Sequence, residues 1–151
     1  RPTNSFLYNL VMDTYTFGYN SSSFVDMPIS HKVFMAQFDT IKKIAEEEPC
    51  VIVGRCADYV LKDLDNVVKT FIYASPETRI KNLVEKLNVT EKQARSMMNK
   101  ADKTRTAYYN YFTEKEWGKP DSYDLMIDTT HISPEAVADI IIAYSKGRST
   151  K

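Results

Sequence analysis

Val67-Val68-Lys69-Thr70-Phe71-Ile72-Tyr73-Ala74-Ser75-Pro76-Glu77-Thr78-Arg79 changes character in its middle, and that change decides the fold. Val67 to Ala74 is a short run dominated by β-branched and aromatic residues, as strands buried in a parallel sheet tend to be. Ser75-Pro76 then supplies an N-cap and a first-turn proline. Ile80, Leu83, Val84 and Leu87 follow at i, i+3, i+4 and i+7, so the spacing predicts a helix directly after the strand. The pattern returns near the other end of the chain. Leu125-Met126-Ile127 is a short apolar run, and Ser133-Pro134 opens a helix carrying Val137, Ile140, Ile141 and Tyr144.

Working outward, Thr90 and Gln93 make a T-x-x-Q capping box, which starts a further helix through Met97, Met98 and Ala101 towards Tyr111. Upstream, Cys50-Val51-Ile52-Val53 closed by Gly54 reads as another buried strand. Before it, Phe34, Phe38, Ile41 and Ala45 recur at helical spacing across residues 31–48, and Pro49 ends that helix. Phe6, Leu7, Leu10, Val11 and Tyr15 predict a first helix over Ser5–Phe17, stopped by Asn20-Ser21-Ser22-Ser23. The order is helix, helix, strand, strand, helix, helix, strand, helix, an α/β pattern without internal repeat or low-complexity linker.

The chain has 151 residues, the size of one domain. Its 20 basic and 20 acidic residues cancel, so whole-surface attraction to nucleic acid or anionic lipid has no support, and any basic site must be local. The apolar tracts are too short to span a bilayer. Cys50 and Cys56, with His31 and His131 as the two histidines, cannot assemble a zinc pattern and are expected to be reduced thiols. No signal peptide or lipidation motif is visible, which predicts a cytoplasmic protein, with Asn88-Val89-Thr90 as a helix start. There are four glycines, Gly18, Gly54, Gly118 and Gly147, where average usage would give about ten. No two are close enough to build a glycine-rich phosphate loop.

In an open α/β sheet ligands collect beyond the carboxyl ends of the strands. Three places there carry chemistry. Arg55, in Gly54-Arg55-Cys56, follows a predicted strand, where its planar fork suits a phosphate; pairing with Asp58 or another carboxylate is the alternative. The helix that begins at Ser75-Pro76 points its N-terminus at the same rim and carries Arg79, an anion contact or an ordinary surface residue. The stretch Asn99–Phe112 sets Lys100, Lys103 and Arg105 before Tyr108, Tyr109 and Tyr111. It reads as a solvated helix face, as a basic flap that closes over phosphates, or, with its interleaved aromatics, as a surface for single-stranded nucleic acid. Asp102 and Arg105, three apart, also suit a simple pair along the helix.

Together these pieces resemble the cytidylate kinase-like family of the P-loop nucleoside monophosphate kinase group. The resemblance rests on Val51-Ile52-Val53-Gly54-Arg55, on Phe71-Ile72-Tyr73-Ala74-Ser75-Pro76-Glu77-Thr78-Arg79, on Asp102-x-x-Arg105 and on Tyr123-Asp124-Leu125-Met126-Ile127-Asp128-Thr129-Thr130. It implies a three-layer P-loop NTPase-like parallel sheet with helices on both faces. It implies one kinase-like domain over residues 1–151, with 1–30 as the acceptor-side helical insertion and 90–117 as the lid. The activity implied is transfer of the γ-phosphoryl of ATP to a nucleoside monophosphate, CMP-like, with magnesium. Arg55, Arg79, Asp102 and Cys56 would lie on the acceptor side, Arg105 and Lys103 would act on the moving phosphoryl group, and Lys100, Tyr108 and Tyr109 would belong to the lid. The expected partner is a small nucleotide rather than a membrane or nucleic acid, and a homodimer is left open.

Three departures temper the acceptor and the activity. The family typically reads Asp-Gly-Arg-Asp where this chain has Val53-Gly54-Arg55-Cys56, and Met98 stands where an arginine is expected. These changes suit a second expectation, a nucleotide-binding or regulatory protein that keeps the fold without turnover. The phosphate-binding loop and first strand are also missing; because the chain begins Arg1-Pro2, they are expected before Arg1. In this fold group that first strand separates the strands expected at Cys50–Val53 and Val67–Ala74, so these two are not expected to bond to each other.

Overall fold

The computed structural model describes residues 29–148. The helix expected over Ser5–Phe17, its polar stop and most of the 1–30 insertion lie outside the described residues. The chain divides into two compact units, Arg1–Val53 and Gly54–Lys151.

In the first unit, α1 runs Ile29–Glu47, where periodicity placed a helix over 31–48. Phe34 and Ile41, seven residues apart and so on one face, are its buried side chains. The expected strand at Cys50–Val53 does not form: the segment has no regular secondary structure, and Val51 and Val53 are 94% and 87% exposed. The apolar pattern is that of a strand, but strand geometry persists only where a neighbour takes its N–H and C=O groups, and none of the described residues does.

The second unit opens with a short helix, α2 (Ala57–Val60), which sequence periodicity did not reveal. Next come β1 (Thr70–Tyr73), α3 (Pro76–Leu87), α4 (Glu91–Thr113), a 3₁₀ turn at Pro120–Ser122, β2 (Leu125–Asp128) and α5 (Pro134–Gly147). β1 and β2 pair in parallel, Thr70 opposite Leu125 and Tyr73 opposite Asp128. The observed class is therefore α/β with a small parallel sheet; among the described residues it has two strands.

The local signals explain the element boundaries. Ser75 accepts from the Thr78 N–H with Pro76 in the first turn, and Ser133 caps α5 in the same way through Ala136. Both halves of the box at Thr90 and Gln93 are made. α3 ends on Asn88 in the left-handed conformation, a residue type that tolerates it. α3 and α4 then pack as a hairpin around Ile80, Ala94 and Met98, with Leu83, Val84 and Val89 against them. Ala94 is completely buried, so the two helices approach closely there.

The end of β2 is tied to the turn after β1 by short polar bonds. The Thr129 N–H donates to the Tyr73 carbonyl at 2.8 Å, and the Ser75 N–H donates to the Thr130 hydroxyl oxygen at 2.9 Å. These bonds hold the start of α3 at the carboxyl edge of the sheet. No helix among the described residues is long and apolar enough to cross a membrane.

Because both reciprocal bonds of the box at Thr90 start α4, Thr90→Ala is expected to cost about 1 kcal/mol. Urea unfolding of the two proteins measures it, and Thr90→Ser should recover most of the loss.

Candidate functional site

Beside the carboxyl end of β1 lies a cavity of about 280 Å³. Its walls are Phe71, Ile72 and Tyr73 from β1, Arg79 from the first turn of α3, Asp102 and Arg105 from α4, and Trp117 from the loop beyond α4. Three residues that the sequence singled out separately, Arg79, Asp102 and Arg105, thus meet in one place.

Arg79 presents its planar fork to Asp102: Nη1 donates to Oδ2 and Nη2 to Oδ1, each at 2.7 Å. Arg105 Nη1 lies 3.5 Å from the same Oδ1, one helical turn along α4. Two guanidinium groups share one carboxylate, which leaves a single positive charge facing an aromatic-walled hollow. The hydrogen bonds that Arg79 donates to Asp102 hold its pKa above its ordinary value, so Arg79 is a permanent cation. Neither partner is deeply buried, and water screens the pair, so it contributes about 1–2 kcal/mol and can be exchanged for another anion.

Phe71 organises the apolar wall. Its ring meets Trp117 nearly edge-on at 5.2 Å and Tyr123 at 5.0 Å. Gly118 passes directly over it at φ +80°, where a Cβ would sit 3.4 Å from Phe71 Cζ and the backbone would be strained as well. The Trp117 N–H donates to the Asn110 side-chain oxygen at 2.9 Å, which folds the segment after α4 back onto that helix.

Arg55 sits on an unusual turn. Gly54, Arg55 and Cys56 adopt φ of 72°, 57° and 55°, three successive left-handed residues of which only the first is glycine. Each non-glycine position of this kind costs about 1–2 kcal/mol, so the surroundings must impose it. Cys56, Ala57, Val60 and Leu61 are buried beneath the turn. Asp58 does not pair with Arg55, the alternative considered from sequence; its carboxylate accepts from the Tyr109 hydroxyl at 2.6 Å. Arg55 has no hydrogen-bond or ion-pair partner among the described residues.

Burial, followed by the nearby Asp58 charge, pushes the Cys56 thiol up to about 12, so at neutral pH it is a protonated core group. Tyr109 is raised above the usual phenol range by burial and then by its bond to Asp58, and Tyr123 is raised chiefly by burial.

The remaining candidates divide along α4. Lys100 and Lys103 are exposed, the Tyr108 ring lies tilted at 4.8 Å from Phe112, and Tyr109 turns inward. Met98, where the family pattern expects an arginine, belongs to the core between α3 and α4. Spacing on α4 and the rim position after β1 made Asp102, Arg105 and Arg79 findable. The Tyr109–Asp58 bond joins residues 51 apart and has no local signal, and the place of Trp117 against Phe71 has none either. Among the described residues no three acidic, cysteine or histidine side chains converge as metal ligands. The magnesium implied by the resemblance therefore has no cage in these side chains.

Sequence comparison gives the class of protein to which this parallel α/β unit, with two arginines and an aspartate at its rim, belongs. The cytidylate kinase-like family matches residues 1–131, and the chain belongs to that family. The match takes in the region before Cys50, where the motifs quoted above are absent. Among solved structures, an uncharacterized protein from Eubacterium ventriosum ATCC 27560 is similar, with 37% identity and a TM-score of 0.75 over 79% of this chain and 75% of that one. No curated, named protein matches the chain.

The raised thiol and phenols set a direction for alkaline stability. A folded-state pKa above the unfolded value means that the native state holds its proton more tightly, so stability is full below the unfolded pKa and falls as pH rises. For Cys56 that window runs from 9.0 to about 12, and Tyr109 and Tyr123 add to the loss above 10.0. The urea midpoint should be level from pH 7 to 8.5 and drop above pH 9, and Cys56→Ala should remove the part of the drop that begins first.

Proposed function

We propose that this protein is a nucleoside monophosphate kinase that accepts the γ-phosphoryl of ATP onto a CMP-like nucleotide, with the described residues forming its acceptor side and lid. The observation that carries the reading is the convergence of Arg79 and Arg105 on Asp102 in a hollow walled by Phe71 and Trp117. Such a hollow offers charge-assisted donors to phosphoryl oxygens, a flat aromatic surface to a base, and a carboxylate that accepts from a sugar hydroxyl. Membership of the cytidylate kinase-like family supports the same class. The three-layer sheet, the lid over residues 90–117, a cytoplasmic address and the use of ATP and magnesium belong to this proposal.

In the proposed roles, Arg55 grips the acceptor phosphate, Arg79 exchanges its Asp102 partner for a phosphoryl oxygen, and Arg105 with Lys103 neutralises charge that builds up during transfer. Lys100 and Tyr108 would belong to the lid that closes over the nucleotides. Cys56, being buried, would not touch the base.

A second reading, a nucleotide-binding regulator without turnover, is favoured by one observation. Val53 and Cys56 stand where the family usually carries carboxylates, and Cys56 is sealed in the core.

Calorimetric titration with CMP, UMP, AMP and GMP, followed by a coupled assay with ATP and magnesium, tests both. One monophosphate should bind, and Arg55→Ala should weaken it about 10- to 150-fold, the loss of a charge-assisted contact worth about 1.5–3 kcal/mol. Arg105→Ala should lower kcat more than it raises the acceptor KM. Tight binding with no turnover on any acceptor would replace the kinase by the regulator, and no binding at all would end both readings.

A further inference from the structure

We infer that Tyr109 is a positioning residue for Arg55, acting through Asp58; this rests on the proposed role of Arg55 as the grip on the acceptor phosphate. Arg55 has no side-chain partner of its own among the described residues, so its aim is set by its backbone. That backbone is held in a conformation unfavourable to L-residues, with Arg55 and Cys56 both left-handed.

Something outside the turn must therefore define it. Locally, the Ala57 N–H donates to the Gly54 carbonyl at 3.1 Å, and the Tyr59 and Val60 N–H groups donate to the Cys56 carbonyl at 3.0 and 2.9 Å. These bonds make α2, but a helix of four residues does not hold itself together. Apolar burial of Cys56, Val60 and Leu61 fixes its depth, since such contacts are non-directional. The directional constraint is the 2.6 Å bond from the Tyr109 hydroxyl to the Asp58 carboxylate, made three residues from Arg55.

Tyr109 is well placed to impose it. It is 5% exposed, sits within the last two turns of α4, and has Ser122 and Tyr123 within hydrogen-bonding reach of its hydroxyl. Seven residues earlier the same helix holds Arg79 through Asp102. α4 thereby sets the position of both acceptor-side arginines, one through an ion pair and the other through a phenol, a carboxylate and a strained turn.

The experiment uses the full chain and whichever of CMP, UMP, AMP and GMP binds most tightly. Its Kd is measured by calorimetry for wild type, Tyr109→Phe, Arg55→Ala and the double variant. Tyr109→Phe should weaken binding about 3- to 10-fold, as expected for a lost hydrogen bond. The double variant should be no weaker than Arg55→Ala alone, because the phenol acts only through the arginine. The nucleoside without its phosphate should bind equally to wild type and Tyr109→Phe. A Tyr109→Phe affinity equal to wild type, or losses that simply add in the double variant, overturns the inference while leaving the role of Arg55 intact. If Arg55→Ala itself binds as wild type, the proposed site fails and takes the inference with it. Asp58→Ala, which removes the other end of the bond, should give the same non-additive pattern and serves if Tyr109→Phe does not fold.

Discussion

One face of α4 carries both the packing and the chemistry of this protein, and the fork between Arg79 and Asp102 is where one becomes the other. Ala94, Met98, Asp102 and Tyr109 fall within about 80° of one another around the helix at 100° per residue. The first two fill the core against Ile80, the third reaches Arg79, and the fourth reaches Asp58. The apolar half fixes the rotation of α4, and only then do the polar groups further along meet their partners. A change of rotation by one residue would swing the stripe by about 100° and separate all four contacts together.

The strength of each contact suits its place. Ala94 and Met98 are sealed, so shifting them opens a void with no compensating contact. Asp102 and Arg79 are partly open to water, and an ion pair so placed can be exchanged for another anion at small cost. Tyr109 and Asp58 lie between these extremes: the phenol is buried, its bond is short, and its pKa lies above the normal range. The molecule is thus graded along α4 from fixed packing through an exchangeable pair to a directional brace. The aromatic wall of Phe71, Trp117 and Tyr123 borders that gradient on the sheet side.

Much of this was legible where the causes are local. Ser75-Pro76, Ser133-Pro134 and the Thr90–Gln93 box mark helix starts because each satisfies orphan N–H groups within three residues, and all three occur as read. The strands after Val67 and at Leu125 were visible because their neighbours are each other. Cys50–Val53 carries the same apolar pattern and forms no strand, since a strand also requires a ladder partner that composition cannot supply. At the site, the rim position of Arg79 and the spacing of Asp102 and Arg105 were readable, whereas their bidentate closure was not. That closure depends on how α3 and α4 pack, as the Tyr109–Asp58 bond depends on a contact across 51 residues.

The departures from the family pattern also follow from burial. An arginine at Met98 would place a guanidinium in the apolar cluster now filled against Ile80 and Ala94, at the cost of desolvating it. An aspartate at Cys56 would set a second carboxylate beside Asp58 in a buried position; the Asp58 charge already pushes the thiol upward, and a charged neighbour would be opposed more strongly. A small neutral side chain relieves that conflict and lets Asp58 spend its acceptor on Tyr109. In this chain the carboxylate nearest Arg55 in sequence, that of Asp58, supports the turn through its bond from Tyr109.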